Sequence, residues 1–212
     1  MHAGYDLTRL LIGSEGTLGV ITEVTLKLHN RPKISYAMRI SFDNVVSAAA
    51  TARDTLGCGV QVGRCELLDT DMVSILNEAN QSKLSSKWPI AHTLMYEITG
   101  LSDSSVREQM DIVSSIAAKH GGHTVIVATN PAECSALWRM RKEAIWSCMS
   151  AYPTKEPMIT DVCVPLSGLP EMIRQAKEIT GRSKFPCPIV AHAGNTAFHN
   201  ILYYYLHEVI SY

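Results

Sequence analysis

Ile34-Ser-Tyr-Ala-Met-Arg-Ile-Ser-Phe42 reads as a strand, and Asp43 after it can cap a helix over about 44–56 that Gly57 ends. The rest of the chain repeats this alternation. Gly59–Leu67 reads as a strand, and Asp69 can cap a short helix to Asn80. A polar Ser/Lys loop follows at 81–87. His92–Ile98 is a strand, and Ser102 or Asp103 opens a helix to His120, closed by Gly121-Gly122. His123–Ala128 is a strand, and Asn130-Pro131 starts a helix over 131–150 with proline in its first turn. Met158–Val164, Ser167–Gly181 and Pro188–Ala193 then read as strand, helix and strand. Two similar β-α-β units in succession predict a doubled, ferredoxin-like split β-α-β sheet, so the fold class is α+β. Strands with polar positions on one face predict a largely antiparallel sheet covered by helices on one side.

The first 30 residues differ. A glycine-punctuated turn is followed by an alternating run from Leu18 to Leu28, with Val20, Thr22, Val24, Leu26 and Leu28 on one face, which predicts a strand. Asn30-Arg-Pro32 breaks it and marks the expected boundary between a unit at 1–30 and a domain at 31–212. The 212 residues are 46% hydrophobic and 18% charged, enough for one good core and part of another domain. A net charge of −1 without a basic stripe argues against nucleic acid and anionic membranes as partners. No apolar run approaches the ~18 residues of a membrane span. The N-terminal Met1-His-Ala-Gly-Tyr-Asp-Leu7 resembles neither a signal nor a transit peptide, and reads as a chain that starts inside a domain. Cys58, Cys65, Cys134, Cys148, Cys163 and Cys187 contain no Cys-x-x-Cys and fall among apolar neighbours, which predicts structural thiols.

Four places could carry chemistry. Gly13-Ser-Glu-Gly-Thr-Leu-Gly19 precedes a strand and lacks Gly-Lys-Ser/Thr, so it is neither a Walker loop nor a Rossmann fingerprint. It is an ordinary turn, or one whose freed N–H groups and hydroxyls face phosphate oxygens. Arg141 lies on or beside the apolar stripe of its helix, three residues after Trp138 and four before Ile145. It is either a snorkelling surface arginine or a carboxylate clamp. Asp161, mid-strand among β-formers, is expected to face solvent. His192-Ala-Gly-Asn-Thr-Ala-Phe-His199 spans a turn. With Asn195-Thr196 as a two-residue loop, 192 pairs with 199 and the two imidazoles share a face, where they could hold one divalent metal. They could equally be two unrelated histidines near a strand end. His92, His120 and His123 are isolated and read as structural or surface residues.

Gly4–Thr22 resembles the final segment of the flavin-binding (PCMH-type) domain in the vanillyl-alcohol-oxidase type of FAD enzymes. Cys65-Glu-Leu-Leu-Asp69, Leu137–Lys142 and Thr160-Asp-Val-Cys-Val-Pro165 resemble the cap domain of their 2-hydroxy-acid branch, most nearly its mitochondrial, D-lactate-oxidising members. The resemblance implies that Gly13, Ser14, Gly16, Thr17, Gly19 and Ile21 lie nearest FAD. It implies that Arg141 grips the substrate carboxylate, and that His192 and His199 ligate a divalent metal, zinc or manganese. The implied chemistry is oxidation of D-lactate, or a close D-2-hydroxy acid such as D-2-hydroxyglutarate or glycolate, to the 2-oxo acid. Hydride passes to the flavin, and electrons go on to cytochrome c in the mitochondrion.

The departures from that pattern carry expectations too. The family reads His-Ala-Gly-Asp-Gly-Asn-Phe-His where this chain has Asn195-Thr196-Ala197. A β-branched Thr196 fits positive φ poorly, so a strained or reshaped bend is expected. The first part of the flavin domain would lie before Met1, and a Glu-His-Gly segment with a third ligand and the base after Tyr212. Glu208 does not sit in that motif. The chain alone is therefore expected to hold FAD weakly and to lack activity. The alternative is a non-catalytic binding module that uses the 18–28 strand as an interface.

Overall fold

The computed structural model describes residues 4–81 and 87–205; Glu208 and most of the 81–87 loop lie outside them. Two compact units divide between Arg31 and Pro32.

In the first unit a four-residue helix, α1 (Leu7–Leu10), is capped by Asp6, whose side chain accepts from the Arg9 amide. The strand expected at 18–28 is not formed: residues 18–33 carry neither helix nor strand. The alternating side chains stand open to solvent, Val20 at 90% and Leu28 at 82% exposure. Alternation prepares a strand to be half buried, but a lone strand gains nothing without a partner ladder. Among the described residues none pairs with it.

The second unit is one sheet flanked by helices. Its elements run β1 (Ile34–Phe42), α2 (Val45–Gly57), β2 (Val62–Leu68), α3 (Thr70–Ala79), β3 (His92–Gly100), α4 (Asp103–Lys119), β4 (His123–Ala128), α5 (Pro131–Lys142), α6 (Ala144–Ala151), β5 (Glu156–Ile159), β6 (Val162–Cys163), α7 (Leu169–Gly181), β7 (Ile189–His192) and β8 (Ala197–Tyr204). The strand order is β4-β1-β3-β2-β7-β8-β5, with β6 also on β8, and each pairing is antiparallel. The fold is α+β with an antiparallel sheet, as expected.

The caps follow the sequence closely. Asp69 accepts from the Met72 amide at 2.9 Å, Ser102 from Ser105 at 3.2 Å and Asn130 from Glu133 at 2.9 Å. At α2 the cap is Asn44 rather than Asp43: its Oδ1 accepts from Val46 N at 2.7 Å. The helix expected over 131–150 is two helices that meet at Glu143; no glycine or proline marks the break. The strand expected at Met158–Val164 is β5 and β6 with Thr160-Asp161 between them, both keeping one register against β8.

One expectation is corrected outright: helices cover both faces of the sheet. Met38, Ile40, Phe42, Leu67, Leu94, Tyr96, Ile189 and Phe198 pack with α2, α4 and α7. Ala37, Leu68, Met95, Val190, Ile201 and Tyr203 point the other way and pack with α3, α5 and α6. The polar positions that suggested a wet face are buried there, Arg39 beside the Trp88 ring and Ser41 and Thr93 fully enclosed. The six cysteines are unbonded; Cys65, Cys148 and Cys187 are buried, whereas Cys58 and Cys163 are exposed. Burial pushes the Cys148 thiol up to about 12 and that of Cys187 up to about 11, which suits inert thiols.

The β7–β8 turn also differs from the two-residue loop. Ile189 pairs with Asn200, Val190 with His199, Ala191 with Phe198 and His192 with Ala197, so the loop is Ala193–Thr196. Ala193–Asn195 form one 3₁₀ turn, and Thr196 closes it at φ 57°, in the left-handed region. A β-branched residue is strained there. Thr196→Asn is expected to raise stability by about 1 kcal/mol, roughly 2–4 °C in Tm, because asparagine tolerates that conformation. An unchanged or lower Tm would show that the turn carries no strain.

On the α3/α5/α6 face, Glu97 receives Arg64 at 2.6 and 3.1 Å and the Ser35 hydroxyl at 2.7 Å. Burial pushes this carboxyl up, but the bonds from Arg64 and Ser35 outweigh it and hold it below the usual value of 4.5. A depressed carboxyl stabilises fully above that value, and its contribution disappears as pH falls through the folded one. Arg64→Met is therefore expected to flatten the acid limb of a stability–pH curve; an unaltered limb would remove Arg64 as the cause.

Candidate active site

The site starts from pairing register. β2 meets β7 with Leu67 opposite Ala191 and Leu68 opposite Val190. One further step sets Glu66 opposite His192. On the other side of β7, His192 opposes Ala197, and His199 lies two residues beyond it on β8. Residues two apart on a strand share a face, so both histidines face the same side. Their rings meet edge to face with centroids 5.2 Å apart. They are diagonal neighbours rather than the directly opposed pair that the sequence suggested. The register moved by two residues, and an even shift keeps the face.

Over that face lies the α5–α6 junction, which brings Arg141 to the histidines. Arg141, Ala144, Ile145, Ile159, Val190, His192, His199 and Ile201 line a cavity of about 220 Å³. The walls are mostly aliphatic, with one guanidinium and two imidazoles as polar groups. Such a site suits a small anion with a short carbon skeleton. Three residues singled out in the sequence thus come together. Asp161, between β5 and β6, faces solvent as expected, its side chain 77% exposed.

Glu66 is the residue the sequence reading missed. Its Oε2 accepts from Arg141 Nε at 3.0 Å and lies 2.9 Å from Nη2. Its two oxygens lie 3.1 and 3.0 Å from His192 Nδ1. A carboxylate mid-strand among apolar neighbours needs a partner, and that signal was present in Cys65-Glu-Leu-Leu. The identity of the partner was not, because it depends on the β2–β7 register.

The donor set can be tested for a metal. His199 Nδ1 lies 3.0 Å from the Thr160 carbonyl oxygen. A carbonyl only accepts, so Nδ1 holds the proton and Nε2 keeps its lone pair, the form that ligates. The two rings supply two nitrogens of one site. Among the described residues, no cluster of three histidine, cysteine or acidic side chains suited to a metal is found, so further ligands would come from elsewhere.

The glycine loop belongs to the first unit. Gly13 and Gly16 take φ of +79° and +78°, which L side chains rarely adopt, and a Cβ there would meet nothing within 4 Å. The Ser14 amide donates to Leu11 O at 3.3 Å, and the Thr17 amide and hydroxyl donate to Ser14 O at 2.9 and 2.6 Å. Ser14 is half-buried, and Gly13, Gly16, Thr17, Gly19 and Ile21 are exposed. The Ser14 and Thr17 amides and the Thr17 hydroxyl are thus taken by carbonyls of the turn itself, so these donors are not the freed groups that the phosphate reading expected.

The family model "FAD linked oxidases, C-terminal domain" matches residues 31–209. The mitochondrial D-lactate dehydrogenase [cytochrome] of Arabidopsis thaliana is 46% identical over 200 residues, 94% of this chain and 34% of that protein. The mitochondrial D-lactate dehydrogenase [cytochrome] 1 of Saccharomyces cerevisiae is 35% identical over 206 residues, 95% of this chain and 35% of that protein. The chain thus spans about a third of the length of these curated relatives. Among solved structures, an alkyldihydroxyacetonephosphate synthase aligns with a TM-score of 0.66 at 15% identity, covering 100% of this chain and 44% of that one. That likeness concerns the fold.

The Glu66–Arg141 pair is largely buried, with side chains 14% and 16% exposed. Arg141→Met leaves the Glu66 carboxylate without its cation and is expected to cost about 2–3 kcal/mol, read as a lower denaturant midpoint. A loss below about 0.5 kcal/mol would show that the pair is solvated like a surface ion pair.

Proposed function

The chain belongs to the FAD-linked oxidases through their C-terminal domain, and on that premise we propose that it is the substrate-side part of an FAD-dependent D-lactate dehydrogenase. The reaction is oxidation of D-lactate, or a close D-2-hydroxy acid, to the 2-oxo acid, with electrons passed to cytochrome c in the mitochondrion. The observation that carries this reading is the meeting of Arg141, His192 and His199 in one small aliphatic cavity. The curated relatives, named for D-lactate and a cytochrome, support it. Under the same reading, residues 1–30 are the end of the flavin-binding domain and 31–212 the cap domain. The turn holding Gly13, Ser14, Gly16, Thr17, Gly19 and Ile21 lies along FAD.

Each group has a task set by its chemistry. Glu66 occupies the Nε side of Arg141, and the Nη1/Nη2 end of the guanidinium remains for a carboxylate. Two parallel charge-assisted hydrogen bonds there fix the orientation of a 2-hydroxy acid. His192 and His199 present imidazole nitrogen to the hydroxyl end, where a bound zinc or manganese ion would raise the acidity of that hydroxyl. Ile145, Ile159, Val190 and Ile201 give the short carbon chain an aliphatic wall. Flavin, when bound, supplies the acceptor for the α-hydrogen as hydride. Among the described residues the cavity lining has one guanidinium and no second side-chain cation of lysine or arginine, which favours a monocarboxylate over a dicarboxylate such as D-2-hydroxyglutarate.

The test is Arg141→Lys in the full-length flavoenzyme that contains this chain. Lysine keeps the charge but loses the planar fork, and kcat/KM for D-lactate is expected to fall about 10–100-fold, the worth of one charge-assisted bond. Turnover within twofold of the unaltered enzyme would exclude Arg141 as the carboxylate clamp.

A further inference from the structure

Between the guanidinium and the nearer imidazole stands a carboxylate that contacts both, and its contact with the imidazole has no part in the proposed function. Glu66 Oε2 receives Arg141 Nε at 3.0 Å and sits 2.9 Å from Nη2, so it occupies one edge of the fork. Both its oxygens lie within 3.1 Å of His192 Nδ1. Arg141 Nη2 approaches the same nitrogen, but only to 3.3 Å. The two neighbours make opposite demands on the ring. An arginine donates, and would ask Nδ1 to accept. A carboxylate accepts, and would ask Nδ1 to hold the proton. The carboxylate contacts are shorter, and an unprotonated Nδ1 beside a negative charge would set lone pair against lone pair.

We infer that Glu66 is a positioning residue, which holds the proton of His192 on Nδ1 and the guanidinium of Arg141 by its Nε edge. Both consequences concern residues that line the cavity. With the proton on Nδ1, the bare nitrogen of His192 is Nε2, the same atom that the Thr160 carbonyl leaves bare on His199. The two rings then carry lone pairs on matching atoms. With the Nε edge of Arg141 taken, a ligand carboxylate can pair only with the Nη1/Nη2 end. One carboxylate thereby sets the ligating form of an imidazole and the docking edge of an arginine, as outer-sphere carboxylates do at metal sites.

This inference rests on the proposed roles of His192 and Arg141, but its test needs neither flavin, metal nor substrate, so it can fail while the functional reading stands. Long-range ¹⁵N–¹H spectra of the chain report which nitrogen of each histidine is protonated. In the unaltered chain His192 is expected as the Nδ1–H form, and His199 likewise. Glu66→Gln keeps the volume but replaces one carboxylate oxygen with a donor, so His192 is expected to populate the Nε2–H form while His199 stays unchanged. His199 is thus the internal control for the fold. An Nε2–H His192 in the unaltered chain would overturn the inference, as would a Glu66→Gln spectrum with His192 unmoved. If both rings change together, the unaltered chain decides alone: Nδ1–H upholds the inference, Nε2–H ends it. In the full-length flavoenzyme the same substitution is expected to weaken zinc or manganese binding about 10–100-fold, and unchanged metal affinity would confine Glu66 to holding Arg141.

Discussion

The site depends on register at the middle of the sheet. β7 is only four residues long, yet it is paired on both sides, to β2 and to β8. Those pairings set Glu66 opposite His192 and place His199 one diagonal step away. A slip of one residue in either ladder would turn the histidines toward the opposite core or part them from Glu66. The register is held by burial on two faces. Ile189 and Ala191 sink into one core and Val190 into the other, so no slipped arrangement keeps all three dry.

That double burial explains why some features could be read in the sequence and others could not. Strands β1, β3 and β4 and the caps at Asp69, Ser102 and Asn130 were legible, because local composition decides them. The second layer of helices was not. Arg39, Ser41 and Thr93 read as a solvated face, but they lie beneath α3, α5 and α6, where indole contact and enclosure replace water. Nor was the loss of the 18–28 strand legible. Its alternation records a pairing that no described strand provides, and alternation does not reveal whether a partner is present. The loop between the histidines is intermediate. The conflict at Thr196 was visible in its β-branch, whereas the outcome, a 3₁₀ turn closed by a left-handed threonine, needed the structure.

For the site, residue types were legible and relations were not. Arg141, His192 and His199 could be named from a resemblance of motifs, and the structure brings them to one cavity. Glu66 was legible as a mid-strand carboxylate that needs a partner, but its role was not, because that lies in what stands across the ladder. Four polar side chains from β2, α5, β7 and β8 meet above aliphatic residues. Glu66 compensates the charge of Arg141, the Thr160 carbonyl orients His199, and the break between β5 and β6 falls at Thr160 itself. The irregularity in that strand therefore coincides with a contact to the site.

On the proposed function, one cavity receives the carboxylate of a D-2-hydroxy acid on Arg141 and its hydroxyl at the two imidazoles. A crystal structure of the full-length flavoenzyme with D-lactate tests it most directly. The carboxylate is expected on the Nη1/Nη2 end of Arg141, with the hydroxyl oxygen beside His192 and His199. D-lactate bound elsewhere, or bound here with its carboxylate away from Arg141, would contradict it.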